Sequence, residues 1–336
     1  MVQQDSTETW PELPWDAWKA SCDTLHLWTQ VVGKVKLALS PFLNEWWNVG
    51  FDVTARGLTT STIPLGSGAF EIDFDFIDHD LTILTSTGTE TSLPLAPCSV
   101  ADFHRELMAR LRQCGIEVAI DPLPVEVPDP IPFTEDVIHS SYDPVYVNRW
   151  WRILVGTVNV LQRHRSPFFG KSSPILFYWG SFDLNATRFS GRPAPPLEGV
   201  PRFFQLAEDQ ENIACGFWPG NPNAAGIELG EPAFYSYLYP AVPGYREASV
   251  EPTSARYDDR LNEFILPYED VRRMPSPERA ILDFFESTYE AGATLARWDR
   301  AVLEHPRDIP RPVRAMRPED VPGRGGGPGA VEARRH

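Results

Sequence analysis

The stretch from Phe70 to Asp80 reads Phe-Glu-Ile-Asp-Phe-Asp-Phe-Ile-Asp-His-Asp and is the best local candidate for a site. Side chains alternate across a strand, so Phe70, Ile72, Phe74 and Phe76 share one face and Glu71, Asp73 and Asp75 share the other. Asp73 and Asp75 then stand about 7 Å apart, within reach of a shared hydrated Mg²⁺ or Mn²⁺; without a cation their repulsion raises one pKa. His79, in the turn that follows, is the candidate third metal ligand or a general base. The plainer alternative is a charged row facing solvent, because an Asp-x-Asp pair arises readily by chance.

Other groups are weaker. Arg188 and Arg192 bracket Phe189-Ser190-Gly191, an arrangement suited to gripping a carboxylate or phosphate, or to neutralising the acidic row. His104 and His139 carry less signal still. Gly170-Lys171-Ser172 resembles the end of a phosphate loop, but Arg165 stands where that motif needs glycine, and no dinucleotide fingerprint, nucleophile elbow or His-Glu-x-x-His pair occurs.

Composition bounds the partners. The 336 residues carry a net charge of −16, and the stretch from Pro306 onward is Arg-rich, so the rest is more acidic still. Such a body repels phosphate backbones, and nucleic acid is not an expected partner. No run of about eighteen apolar residues occurs and the start lacks a signal-peptide pattern, so the expectation is a cytoplasmic protein with no membrane partner. Oligomeric state is left open. The four cysteines have no paired spacing and are expected to be reduced.

The elements that must position these groups follow from periodicity. Leu25, Trp28, Val32, Val35 and Leu39 form the stripe of a first helix, and His26, Gln30 and Lys34 on its flank read as a solvated face. An antiparallel meander follows through Val49 to Thr54, Phe70 to Phe76 and Leu81 to Thr85. Ser99 and Asp102 form a capping box for a second helix closed by Gly115, and Ile116, Val118 and Ile120 read as one more strand. Five prolines between Asp121 and Pro132 demand an extended connector. Asp143-Pro144 opens a helix to about His164, Ile175 to Phe189 and Ala233 to Tyr239 read as strands around a Pro/Gly-rich excursion, and a last helix opens at Ser276-Pro277.

The halves share an order of features. Trp28-x₃-Val32-Gly33, Ser40-Pro41-Phe42, Phe51-Asp52 and Phe70 to Asp75 match Trp151-x₃-Val155-Gly156, Ser166-Pro167-Phe168, Phe182-Asp183 and Phe234 to Tyr239. The expected fold is α+β: two similar modules, each a helix, an antiparallel meander and a second helix, forming an internal pseudo-dimer. The expected segments are a mobile N-terminus (1–14), an N-terminal module (15–120), a Pro-rich connector (121–142), a C-terminal module (143–305) and a disordered tail (306–336). This alignment sets Glu71, Asp73 and Asp75 opposite Tyr235, Tyr237 and Tyr239 across an expected cleft. There Asp73, Asp75 and Tyr237 would be catalytic, and Glu71, Arg188, Arg192, Tyr235 and Tyr239 would bind substrate. The functional expectation is acid/base or divalent-metal chemistry on a small metabolite; the alternative is a non-catalytic ligand-binding or assembly module.

Longer motifs carry a resemblance. Leu25 to Lys34, Arg56 to Thr60, Phe70 to His79, Val125 to Pro132, Trp179 to Asp183, Thr187 to Pro193, Gly216-Phe-Trp-Pro-Gly220 and Ser287 to Glu290 are similar to a bacterial domain-of-unknown-function family, number 5996. The resemblance spans about Trp10 to Pro306. It implies no activity, cofactor or catalytic residue.

Overall fold

The computed structural model describes residues 8–200, 202–223 and 225–305. The expected disordered tail and the first half of the expected mobile start lie outside these; within the described part of the start, Trp10 and Leu13 are buried. The first half comprises α1 (Trp15–Leu39), β1 (Asp52–Val53), β2 (Gly57–Thr59), β3 (Ile63–Leu65), β4 (Gly68–Asp75), β5 (Asp80–Thr85), β6 (Glu90–Pro94) and α2 (Val100–Gln113). The second comprises α3 (Pro144–Arg165), β7 (Leu176–Tyr178), β8 (Asp183–Pro193), α4 (Arg202–Ala207), β9 (Gln210–Trp218), β10 (Ala233–Tyr239), β11 (Arg256–Asp258), β12 (Glu263–Pro267), α5 (Tyr268–Arg272), α6 (Pro277–Leu295) and α7 (Arg300–Leu303).

Helices plus antiparallel sheets make the fold α+β, as expected. One sheet runs β1-β2-β4-β5-β6 with β3 also on β4, and the other runs β11-β12-β10-β9-β8-β7. Their edges meet where Phe51 and Phe177 exchange both backbone hydrogen bonds, each 2.8 Å. Phe70, Ile72 and Phe74 face inward from β4, as the alternation requires. Ser99 caps α2 by accepting from the Asp102 N–H, and Asp143 accepts from Val145 and Tyr146 at the start of α3, where Pro144 needs no partner.

Several expectations fail, and the strand expected from Ile175 to Phe189 is two strands, β7 and β8. Ile116 to Ile120 forms no strand; the prolines at 122 and 124 follow at once, and Ile116 is buried on its own. The excursion between the second-half strands contains a strand, β9, whose Gln-Glu-Asn-Ile-Ala-Cys-Gly-Phe-Trp sequence is buried on both faces from Ile213 to Trp218 and so shows no alternation.

The polar flank of α1 is not solvated. His26, Gln30 and Lys34 are 3%, 0% and 5% exposed, because the connector and the Gly180 turn lie over them. Gln30 grips Val125 at both ends of its amide, donating to the carbonyl at 2.8 Å and accepting from the N–H at 2.9 Å. Lys34 donates to the Leu123 carbonyl at 2.5 Å, and His26 Nε2 meets the Gly180 carbonyl at 2.8 Å. A proline-rich segment cannot satisfy its peptide groups in a sheet, so these side chains do it instead. Gly33 admits the neighbouring turn: a Cβ there would overlap the Trp179 indole, whose Nε1 donates to the Val49 carbonyl at 2.9 Å.

Replacing Gln30 with Ala leaves both Val125 peptide groups without their partners in a half-buried site. A loss of about 2–4 kcal/mol in urea denaturation is expected, together with new proteolytic cleavage between residues 121 and 128. Wild-type stability and resistance would show that the clamp contributes nothing.

Candidate functional site

The second sheet has one face packed on α3 and α6 and another that floors a cavity of about 630 Å³. Strand register decides which residues enter it. Asn185 lies beside Gly216, which lies beside Tyr235; Thr187 lies beside Ala214, which lies beside Tyr237. Asp183, Asn185, Thr187 and Phe189 therefore share this face with Asn212, Trp218, Tyr235, Tyr237 and Glu263. Gly216 is required by its neighbours: a Cβ there would strike the Leu184 carbonyl and the ring of Tyr235. Tyr235 and Tyr237 lie parallel, ring centroids 6.3 Å apart.

The cover comes from elsewhere in the chain. Glu45, Trp46, Trp47 and Val49 follow α1, Val125 and Glu126 come from the connector, and Phe203, Phe204, Ala207 and Glu208 come from α4 and its end. Glu45, Trp46 and Glu126 hold left-handed backbone, with φ of 47°, 60° and 56°. Three non-glycine residues in this region around one cavity mark a surface set by tertiary constraint.

Polar groups on the floor are organised in two sets. Tyr235 donates its hydroxyl proton to Asp183 and accepts from Asn185 Nδ2 at 2.8 Å, while Thr187 donates to Asn185 Oδ1 at 2.8 Å and Ser181 donates to Asp183. Glu208 accepts from Asn212 Nδ2 at 2.5 Å and from the Tyr237 hydroxyl at 3.2 Å. Glu45 pairs with Lys171, whose Nζ lies 4.5 Å from the centroid of Phe189 and 5.3 Å from that of Trp47.

Enclosure sets the electrostatics. The carboxyls of Glu126, Glu208 and Glu263 keep some accessible surface because the cavity admits water, yet protein surrounds them on nearly all sides and that surround governs the cost of charge. Burial, with Asp183 nearby, pushes Glu126 up to about 7 and Glu263 up to about 8. Burial pushes Glu208 up to about 7 against the opposing hydrogen bonds of Asn212 and Tyr237. Burial likewise raises Asp183 and the phenols of Tyr178, Tyr235 and Tyr237. Carboxylic acids that titrate near neutrality are suited to giving and taking protons.

The residues singled out from sequence are only partly brought together. Tyr235 and Tyr237 line the cavity; Glu71, Asp73 and Asp75 do not, since β4 belongs to the other sheet. Asp75 caps its own turn: burial would raise it, but the Asp78 N–H, Arg56 and the Ile77 N–H together hold it below the usual range. Burial raises Asp73, and one of its oxygens is unpartnered; burial also raises Glu71, which stands on the same face. His79, at φ 57°, bonds Tyr142 through Nδ1 at 2.8 Å. Among the described residues no three His, Cys, Asp or Glu side chains are grouped to hold a metal ion.

Arg188 points to the opposite face of β8. It is 2% exposed, pairs with Glu286 at 3.1 Å, donates to the His164 carbonyl and lies over Tyr289 at 4.2 Å. Arg192 pairs with Glu211 at 2.6 Å and donates to the Ala296 carbonyl, so the two guanidiniums do not converge on an anion. Tyr239 donates to the Pro195 carbonyl at 2.8 Å, away from the cavity lining.

Sequence reasoning missed Glu45, Glu126, Asp183, Asn185, Glu208, Asn212 and Glu263. A signal existed for Asp183, Asn185 and Thr187, which alternate with Leu184 and Ala186. Nothing local marked Glu126 or Glu208, because their cavity is assembled from distant segments.

Fold and site together define an α+β protein with a partly open acidic and aromatic cavity on an antiparallel sheet. The chain belongs to the family of unknown function DUF5996, whose model matches residues 10–305. No curated protein and no solved structure matches it. Among the described residues no helix is long and apolar enough to cross a membrane.

The raised carboxyls make stability fall with pH in a defined window. The ordinary value for Glu is 4.5, so folded Glu126, Glu208 and Glu263 retain protons that the unfolded chain releases. Buried His26 and His164, lowered from 6.5 to about 4, add stability as pH rises but only up to 6.5. Lys36, lowered from 10.5 to about 8, adds it only above 8. Between pH 6.5 and 8 the urea midpoint should therefore drop, each carboxyl contributing at most about 1.4 kcal/mol per pH unit before water in the cavity is allowed for. Glu126→Gln and Glu208→Gln should flatten the slope; a wild-type profile that is flat or rising there would mean these groups ionise normally.

Proposed function

We propose that the cavity is a small-molecule site whose buried carboxyls exchange protons with the bound ligand. The observation that carries this reading is the placement of Glu126 and Glu208, both raised by burial to about 7, on one partly open cavity of small-molecule size. Glu208 is the acid/base group, Tyr237 its hydrogen-bonding partner, and the Tyr235-Asp183-Asn185 set orients the ligand. The cavity draws on both halves and on the connector.

We also read the halves as descendants of one duplicated unit. The reciprocal bonds between Phe51 and Phe177 support it, as a two-fold axis between equivalent edge strands gives that pattern. Ser40-Pro41-Phe42 and Ser166-Pro167-Phe168 each precede that phenylalanine by the same interval, eleven residues from the serine. On this register β1 answers to β7, β2 to β8, and β4, third from the junction, to β9 rather than to β10. Glu71 and Asp73 of β4 then have their counterparts in Gly216 and Trp218 of β9, and the tyrosines of β10 answer to β5.

A thermal-shift screen of metabolites and of Mg²⁺ and Mn²⁺ tests the site, using wild type, Ala207→Trp to fill the cavity and Asp73→Asn to break the β4 row. A ligand at a hundredfold excess over its Kd stabilises the native state by about 2.7 kcal/mol. A metabolite shift lost in Ala207→Trp and kept in Asp73→Asn is expected. The reverse pattern would move the site to β4, and a ligand recovered chemically unchanged would assign binding without turnover.

A further inference from the structure

The cavity is acidic and is not neutralised from its own walls. Glu45, Glu126, Asp183, Glu208 and Glu263 line it, and the lining among the described residues includes no Lys, Arg or His. Lys171 reaches Glu45 from behind the lining, and Asp209 stands beside Glu45 as a further acid. The Glu126 and Glu263 side chains have neither an ion pair nor a hydrogen bond to any described residue.

A second observation concerns donors. Asn212 is 2% exposed and commits its Nδ2 to Glu208 and to the Gln210 carbonyl, which leaves Oδ1 without a partner. Flipping that amide would set its oxygen against the Gln210 carbonyl, which has no proton to give, so the orientation with Oδ1 unpartnered is the one the contacts favour. Glu45, 6% exposed, likewise has an oxygen, Oε2, with no donor. Buried acceptors in native proteins are nearly always satisfied, so these two orphan oxygens add negative potential behind a wall that offers no cation of its own.

The remaining wall selects further. Trp46, Trp47, Tyr178, Phe203, Phe204 and Trp218 present flat, electron-rich surface, which attracts cations and takes up apolar carbon. An anion would meet five acids. A metal ion needs ligands converging on one point, whereas these carboxyls are spread over the floor, the connector and the end of α4.

We propose that the ligand is an organic cation: a primary ammonium or guanidinium on an apolar or aromatic body. Its N–H groups meet the accessible carboxylates of Glu126 and Glu263, and its body lies against the aromatic wall. This inference rests on the reading of the cavity as a small-molecule site. It adds the charge and donor character of the molecule bound there.

Matched probes separate the two readings. Phenethylamine, putrescine and agmatine are titrated calorimetrically into wild type beside phenethyl alcohol, butanediol and phenylpropionate. At least one cation should bind at least about tenfold more tightly than its neutral counterpart, with no binding of the acid. The Glu126→Gln, Glu263→Gln double variant should weaken the cation about tenfold or more while leaving its melting temperature no lower than wild type. Ala207→Trp should abolish binding altogether. Neutral or acidic probes that bind as well as the cations, and are lost in Ala207→Trp, would overturn the cation assignment and leave the cavity as a site. Failure of every cation in wild type would also overturn it. Cation binding unchanged in Ala207→Trp would sink both readings. The comparison among probes in wild type stands even where a variant folds poorly.

Discussion

One line of side chains on α1 holds the molecule's two halves and its cavity in a single arrangement. His26, Gln30 and Lys34 are spaced four residues apart, so they stand in a row, and each satisfies backbone that has no sheet to pair with. The connector needs this because its prolines remove donors and forbid ladder pairing. Gln30 is the central grip, since its amide matches both groups of one peptide residue, Val125. The next residue is Glu126. Its carboxylate fills the space that a side chain at Gly180 would occupy, and His26 holds the Gly180 turn from the other side. The closure of the cavity is thus a consequence of how a helix disposes of the peptide groups of a proline-rich segment.

That closure is what makes the carboxyls unusual. Several acids facing one aromatic cavity repel each other and lose hydration, so the folded chain keeps protons that the unfolded chain would give up. The arrangement costs stability at neutral pH, and nothing in the packing requires it, because neutral residues of similar size would fill the same positions. Groups kept ionisable at such a cost are those whose titration is useful. Contrast Glu286, which burial would raise but which His164 and Arg188 bring down to about 2; it is charged, paired and purely structural.

How far the sequence could be read depended on whether a signal was local. Capping at Ser99 and Asp143, the alternation of Phe70 to Asp75 and the stripe of α1 all depend on near neighbours and were legible. β9 was not, because a strand buried on both faces has no polar period. The polar flank of α1 was misread for a related reason: periodicity tells which residues share a face, not whether water or another peptide segment lies over it. Arg188 shows the same gap. Its spacing from Arg192 was visible, but the side of β8 it faces depends on register with Ile213. The cavity itself drew on residues from Glu45 to Glu263, and no window along the chain holds that set.

The Glu71, Asp73 and Asp75 row sharpens the point by comparison with Asp183, Asn185 and Thr187. Both are polar triplets alternating with apolar residues on a strand of a six-stranded antiparallel sheet. They differ in cover. Asp75 is held by Arg56, a side chain itself 51% exposed, and by its own turn, so it ionises readily. Asp183 lies under the connector, the Trp47 segment and α4, where water is scarce and a phenol hydroxyl stands in for it. The same local pattern lies on a half-buried sheet face in one half and on a covered cavity floor in the other, because the cover is made by segments far away in the chain.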